Sequence, residues 1–89
     1  MTTAHDVAQW MADRVSEFYL PREATAREIR EVFGEPFVVQ TEAETWDIAP
    51  PVVKAFDKLT KTTVVWVRGG QYWRTREPGD PPRAREVDW

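Results

Sequence analysis

Cysteine is absent from the 89 residues, and histidine occurs once. Without Cys there is no disulfide, no thiolate nucleophile and none of the common structural zinc sites, and a reducing, cytoplasmic setting suits the chain. The lone His5 falls in the first turn of a predicted helix, a solvated position and a poor one for a general base. No apolar run has the length of a membrane span or of a secretory leader, so a membrane partner is not expected. Glycine is scarce too, with four residues, and none opens a phosphate-binding loop: Gly69-Gly70 lies between two β-rich runs and no helix follows it. Glu42, Glu44 and Asp47 match no metal-loop spacing and read as surface acids. The expectation is therefore a protein without catalytic, metal or cofactor chemistry.

What the chain does contain is a globular balance, with 42% hydrophobic and 30% charged residues. A domain this small buries only about 60 to 65% of its unfolded surface, so its five Trp and four Phe must supply much of the core. Its net charge of −3 argues against indiscriminate coating of nucleic acid, but the charge is unevenly spread. Residues 1–49 hold four Arg against ten acids, whereas residues 50–76 hold six Lys or Arg against Asp57 alone. The last thirteen residues hold two Arg against four acids.

Hydrophobic spacing divides the chain into elements. Val7, Trp10, Met11, Val15, Phe18 and Tyr19 form a helical stripe, predicting a first helix over 4–19, capped by Thr3 and Asp6. Thr25 and Glu28 at capping-box spacing, with Ile29, Val32 and Phe33 on one face and Gly34 after them, predict a second helix. Residues 37–40 and 45–48 read as a strand pair across the polar turn TEAE. Pro50-Pro51 suits the first turn of a third helix with Val52, Phe56 and Leu59 on its apolar face and Lys54, Lys58 and Lys61 on another.

The stretch VVWVRGGQYWRTR then predicts a hairpin about Gly69-Gly70, two positions that accept positive φ. That register pairs Val67 with Tyr72, Trp66 with Trp73 and Val65 with Arg74. One face carries Val64, Trp66, Trp73 and Thr75; the other carries Val65, Val67, Tyr72, Arg74 and Arg76. Residues 1–77 are expected to form the single domain, and the Pro-rich residues 78–89 a flexible tail. The expected core comprises Trp10, Phe18, Ile29, Phe33, Phe37, Phe56, Leu59, Trp66 and Trp73.

This order of elements resembles a winged-helix domain. ATAREIREVFG is similar to the first helix of a helix-turn-helix, APPVVKAFDKL to its recognition helix and VVWVRGGQYWRTR to the wing. The chain also resembles a family of small uncharacterised bacterial and phage-associated proteins, through VAQWM, VFGEPFV, VVKAFDKLT, VVW and YWRTRE. The resemblance implies an α+β fold but supplies no function. One departure stands out: fifteen residues, 35–49, separate the second and third helices where a helix-turn-helix has three or four.

Two binding readings follow. Lys54, Lys58 and Lys61 on one helix, with Arg68, Arg74 and Arg76 on the hairpin, form a candidate surface for duplex DNA. Alternatively Val65, Val67 and Tyr72 form an exposed strip for another protein or a second copy, as in an adaptor of a phage or mobile element. Each set also has a plain structural reading, as the wet face of an amphipathic helix or as a hairpin face covered by its own chain.

Overall fold

Thr3 opens the first helix by a reciprocal cap: its hydroxyl accepts from the Asp6 amide at 3.2 Å while its own amide donates to the Asp6 carboxylate at 2.9 Å. These contacts come from a computed structural model that describes residues 2–80 and 86–87. The chain runs through α1 (Ala4–Val15), β1 (Leu20–Pro21), α2 (Arg22–Phe33), a 3₁₀ turn (Glu35–Phe37), β2 (Val38–Gln40), β3 (Trp46–Ile48), α3 (Pro50–Leu59), β4 (Val64–Val67), β5 (Tyr72–Thr75) and β6 (Glu86–Val87). Among the described residues this is an α+β fold of three helices, a β2–β3 ribbon and a four-stranded sheet in the order β1-β5-β4-β6. Pairing in that sheet is antiparallel except between β4 and β6.

The helices cover one face of the sheet. Val7, Met11 and Val15 of α1 meet Val52 and Phe56 of α3, with Ala26 and Ile29 of α2 and Val64 and Trp73 of the hairpin in the same cluster. Phe56 and Trp73 meet edge to face at 5.2 Å, the geometry that aligns ring edge with ring face. The residues between α2 and α3 are folded onto this core: Ile48 and Ala49 are buried and the Ala49 amide donates to the Phe37 carbonyl at 3.0 Å.

Two expected helix boundaries move, each for an identifiable reason. The first helix stops at Val15, because Leu20 and Pro21 leave it to pair with Trp73 and Tyr72 as an edge strand. Phe18 and Tyr19 consequently lie in the connection, with Phe18 63% exposed. The second helix begins at Arg22, with Pro21 in extended conformation as its N-cap, so Thr25 lies inside it and is buried. At its end Gly34 takes φ 100° and its amide donates to the Ile29 and Arg30 carbonyls, as expected of a glycine at that position. Leu59, expected in the core, is exposed at the end of α3.

The β4–β5 register is the expected one, Val67 with Tyr72, Trp66 with Trp73 and Val65 with Arg74. The positive φ of its turn, however, falls at Gln71 (55°). Gly70 is required for a different reason: a Cβ there would collide with Cδ1 and Cε1 of Tyr72.

The hairpin's second face is covered by the chain itself. Val65 and Val67 are buried with Val87, whose strand lies beside β4 with Val67 and Val87 in register. They therefore do not form the exposed strip expected of them. Asp80 is buried as well, so the fold continues past the expected boundary at residue 77. Residues 81–85, 88 and 89 of the expected tail lie outside the described residues. Among the described residues no helix is long and apolar enough to cross a membrane.

Candidate functional site

The exposed side of α3 is set by its apolar side. Val52 and Phe56 point into the core, and the 3.6-residue period then places Lys54 and Lys58 on the surface. Lys61 follows in the turn after the helix. The three lysines line one surface hollow of about 240 Å³ together with Asp57. Among the described residues, none of those lining it comes from the inserted segment 35–49.

The hairpin cations have different fates. Arg68 sits near the tip with an exposed side chain, its Nε 3.8 Å from a Glu86 oxygen. Arg76 lies at the other end, where its Nε donates to the Thr62 carbonyl at 3.3 Å and its amide to the Thr63 carbonyl at 2.8 Å. Arg74 is not a surface cation: its side chain is 5% exposed and donates to both oxygens of Asp80 at 2.8 and 2.9 Å. A buried guanidinium needs such a partner, and the planar fork suits a carboxylate. Asp80 also accepts from the Glu77 amide at 2.7 Å. The two Arg74 bonds, with this amide, hold the Asp80 carboxyl down to about 2, and the Arg74 guanidinium is raised in turn by its bonds to Asp80. Arg74 thus fastens the segment after β5 to the hairpin's second face.

Tyr72 is half-buried and stacks nearly parallel on Tyr19, 4.9 Å between centroids. Tyr19 itself is 62% exposed, which leaves Phe18 and Tyr19 as adjacent aromatic side chains on the surface.

Between α3 and the sheet lies a second concavity of about 320 Å³, lined by Arg22, Val53, Asp57, Trp66, Trp73 and Glu86. Trp66 and Trp73 are cross-strand partners with rings 4.8 Å apart. The Arg22 guanidinium lies over both rings, 5.6 and 5.5 Å from their centroids. It is held there by Asp47, whose two oxygens accept from Nε at 2.6 Å and from the terminal nitrogen at 3.3 Å. Asp47, read from sequence as a surface acid, is thus a bridge from the β2–β3 ribbon to the sheet.

Asp57 lines both the lysine hollow and this groove, so the two are neighbours on the α3 side. Sequence reasoning missed Arg22, Asp57 and Glu86 as parts of a surface. The only hint was Arg22 directly after Leu20-Pro21, a strand-to-helix junction that aims the first helical side chain along the sheet.

The comparisons with known proteins add one match. The sequence pattern of a family of unknown function, DUF6953, matches residues 3–75. No curated protein and no solved structure matches the chain.

Proposed function

We propose that this chain, which belongs to the family of unknown function DUF6953, is a non-catalytic binding module of winged-helix type that contacts duplex DNA through α3 and the tip of the β4–β5 hairpin. The carrying observation is the grouping of Lys54, Lys58 and Lys61 around one hollow on the exposed side of α3. Cations so placed neutralise phosphates and release condensed counterions, which favours binding without any base contact. The winged-helix reading draws support from a hairpin that follows α3 directly and from β1, a strand between α1 and α2 that pairs with β5. The ten acids of residues 1–49 lie in the elements before α3, and a charge division of that kind orients a polyanion toward the lysines.

With Arg74 engaged inside the fold, Arg76 bonded to the Thr62 carbonyl and Arg68 at the hairpin tip beside Glu86, the full-strength phosphate contacts rest on the three lysines rather than on six cations. Three contacts give a slope of about −2.7 in log affinity against log salt, hence a loss of about fortyfold between 50 and 200 mM. Fluorescence anisotropy of a labelled duplex at those two concentrations measures it; no binding at 50 mM rejects the reading.

A second reading, an adaptor or homodimer, rests on a specific observation of its own. Phe18 and Tyr19 are adjacent and each more than 60% exposed, and aromatic side chains concentrate at interface centres. Light scattering over a concentration series tests it, with a monomer at all concentrations rejecting the homodimer.

A further inference from the structure

The groove beside the lysines has a composition that phosphate contact alone does not use. Trp66, the nearly buried Trp73, Asp57 and Glu86 line it, and Arg22 is pinned over the two rings by Asp47. Its volume of about 320 Å³ falls in the range of about 300–1,000 Å³ that small-ligand sites occupy.

Three ligand chemistries can be weighed against this lining. A bare anion would meet the two carboxylates. A cationic side chain would suit the rings and carboxylates, but it would lie beside Arg22 and, across Asp57, beside Lys54 and Lys58. A nucleotide satisfies both halves of the surface, with a flat base for the indoles and an anionic backbone for the lysines.

We propose that the groove receives an unpaired guanine of a single-stranded nucleic acid, packed against Trp66 and the Arg22 guanidinium, with its phosphates carried by the lysines on and just after α3. The inference rests on the lysines of α3 being a phosphate-contacting surface. Guanine is specified by hydrogen-bond chemistry. Its Watson–Crick edge alone offers two adjacent donors, N1–H and the N2 amino group, and a carboxylate accepts both at once. Adenine and cytosine place a single amino donor beside an acceptor nitrogen, and thymine places its one donor between two carbonyls. Glu86 is the acceptor suited to this, because it lines the groove with a side chain 56% exposed, and its ion pair with Arg68 is a long one at 3.8 Å.

The test uses the full chain and labelled single strands of thymine with and without one central guanine, at 50 mM salt. The guanine strand is expected to bind about tenfold more tightly, the scale of one bidentate base contact. Inosine, which lacks the N2 amino group, is expected to lose most of that advantage. Glu86→Gln is expected to bring the guanine-to-thymine affinity ratio near one while the thymine strand still binds. Equal binding of the two strands by the native protein, or a guanine preference that survives Glu86→Gln, overturns the groove assignment. If duplex DNA nevertheless binds, the lysine surface stands without it; failure of every strand, duplex included, overturns both.

Discussion

Truncating Val65 to Ala removes two methyl groups from a side chain that is 0% exposed, on the hairpin face where an open strip was expected. Forfeiting their burial costs about 1.6 kcal/mol at roughly 0.8 kcal/mol per group. Incomplete collapse of the space adds a part of the cavity cost, roughly 24 cal/mol per Å³, for a total of about 2 kcal/mol. In a domain of this size a loss of about 2 kcal/mol lowers Tm by about 8 to 16 °C. Urea unfolding followed by tryptophan fluorescence measures the change, with the midpoint expected to fall and the denaturant slope to stay constant. Val87→Ala, on the strand beside β4 and in the same buried cluster as Val65 and Val67, is expected to cost a similar amount for the same reason. An exposed valine would lose no more than about 0.5 kcal/mol. A loss that small for Val65→Ala would refute the claim that the chain's own C-terminal segment covers this face.

Further expectations concern the latch and the hairpin turn. The Asp80 carboxyl is held at about 2, below its ordinary value of 3.8, so its contribution is present above about pH 4 and is lost as pH falls through 2. The urea midpoint of the native protein should therefore drop over that window, and Asp80→Asn should lower it at pH 7 and flatten the pH dependence; parallel curves for the two proteins would contradict the latch. Gly70→Ala drives a Cβ into the Tyr72 ring and disturbs its stack on Tyr19. It is expected to cost about 1 to 3 kcal/mol and to weaken the near-ultraviolet circular dichroism of the tyrosines, and an unchanged spectrum and stability would count against the observed turn geometry.

How far the sequence discloses this protein depends on how local the deciding interaction is. The β4–β5 register was legible because two glycines mark its centre and a period of two does the rest. The third helix was legible for similar reasons, with Pro50-Pro51 at its start and lysines at fixed spacing opposite Val52 and Phe56. The end of α1 was not, since Phe18 and Tyr19 continue its apolar stripe and only the pairing of Leu20 with Trp73 shows that the helix has stopped. Arg74 could not be placed from its own strand. Whether it faces water depends on Asp80, which lies in a Pro-rich stretch that carries no periodic signal. Arg22 is harder still, because its position follows from Asp47, twenty-five residues away, and from two tryptophans on the hairpin.

These placements also change what the charge pattern means. Of the six cations in residues 50–76, one serves the fold from inside, and Arg76 bonds the turn that precedes β4. What remains grouped is the lysine face of α3, and it carries the functional account. The most direct test compares the salt dependence of duplex binding for the native protein and for the triple variant Lys54→Gln, Lys58→Gln, Lys61→Gln. A slope of about −2.7 is expected for the native protein, approaching zero in the variant with the fold intact. A slope that the three substitutions leave unchanged would contradict it.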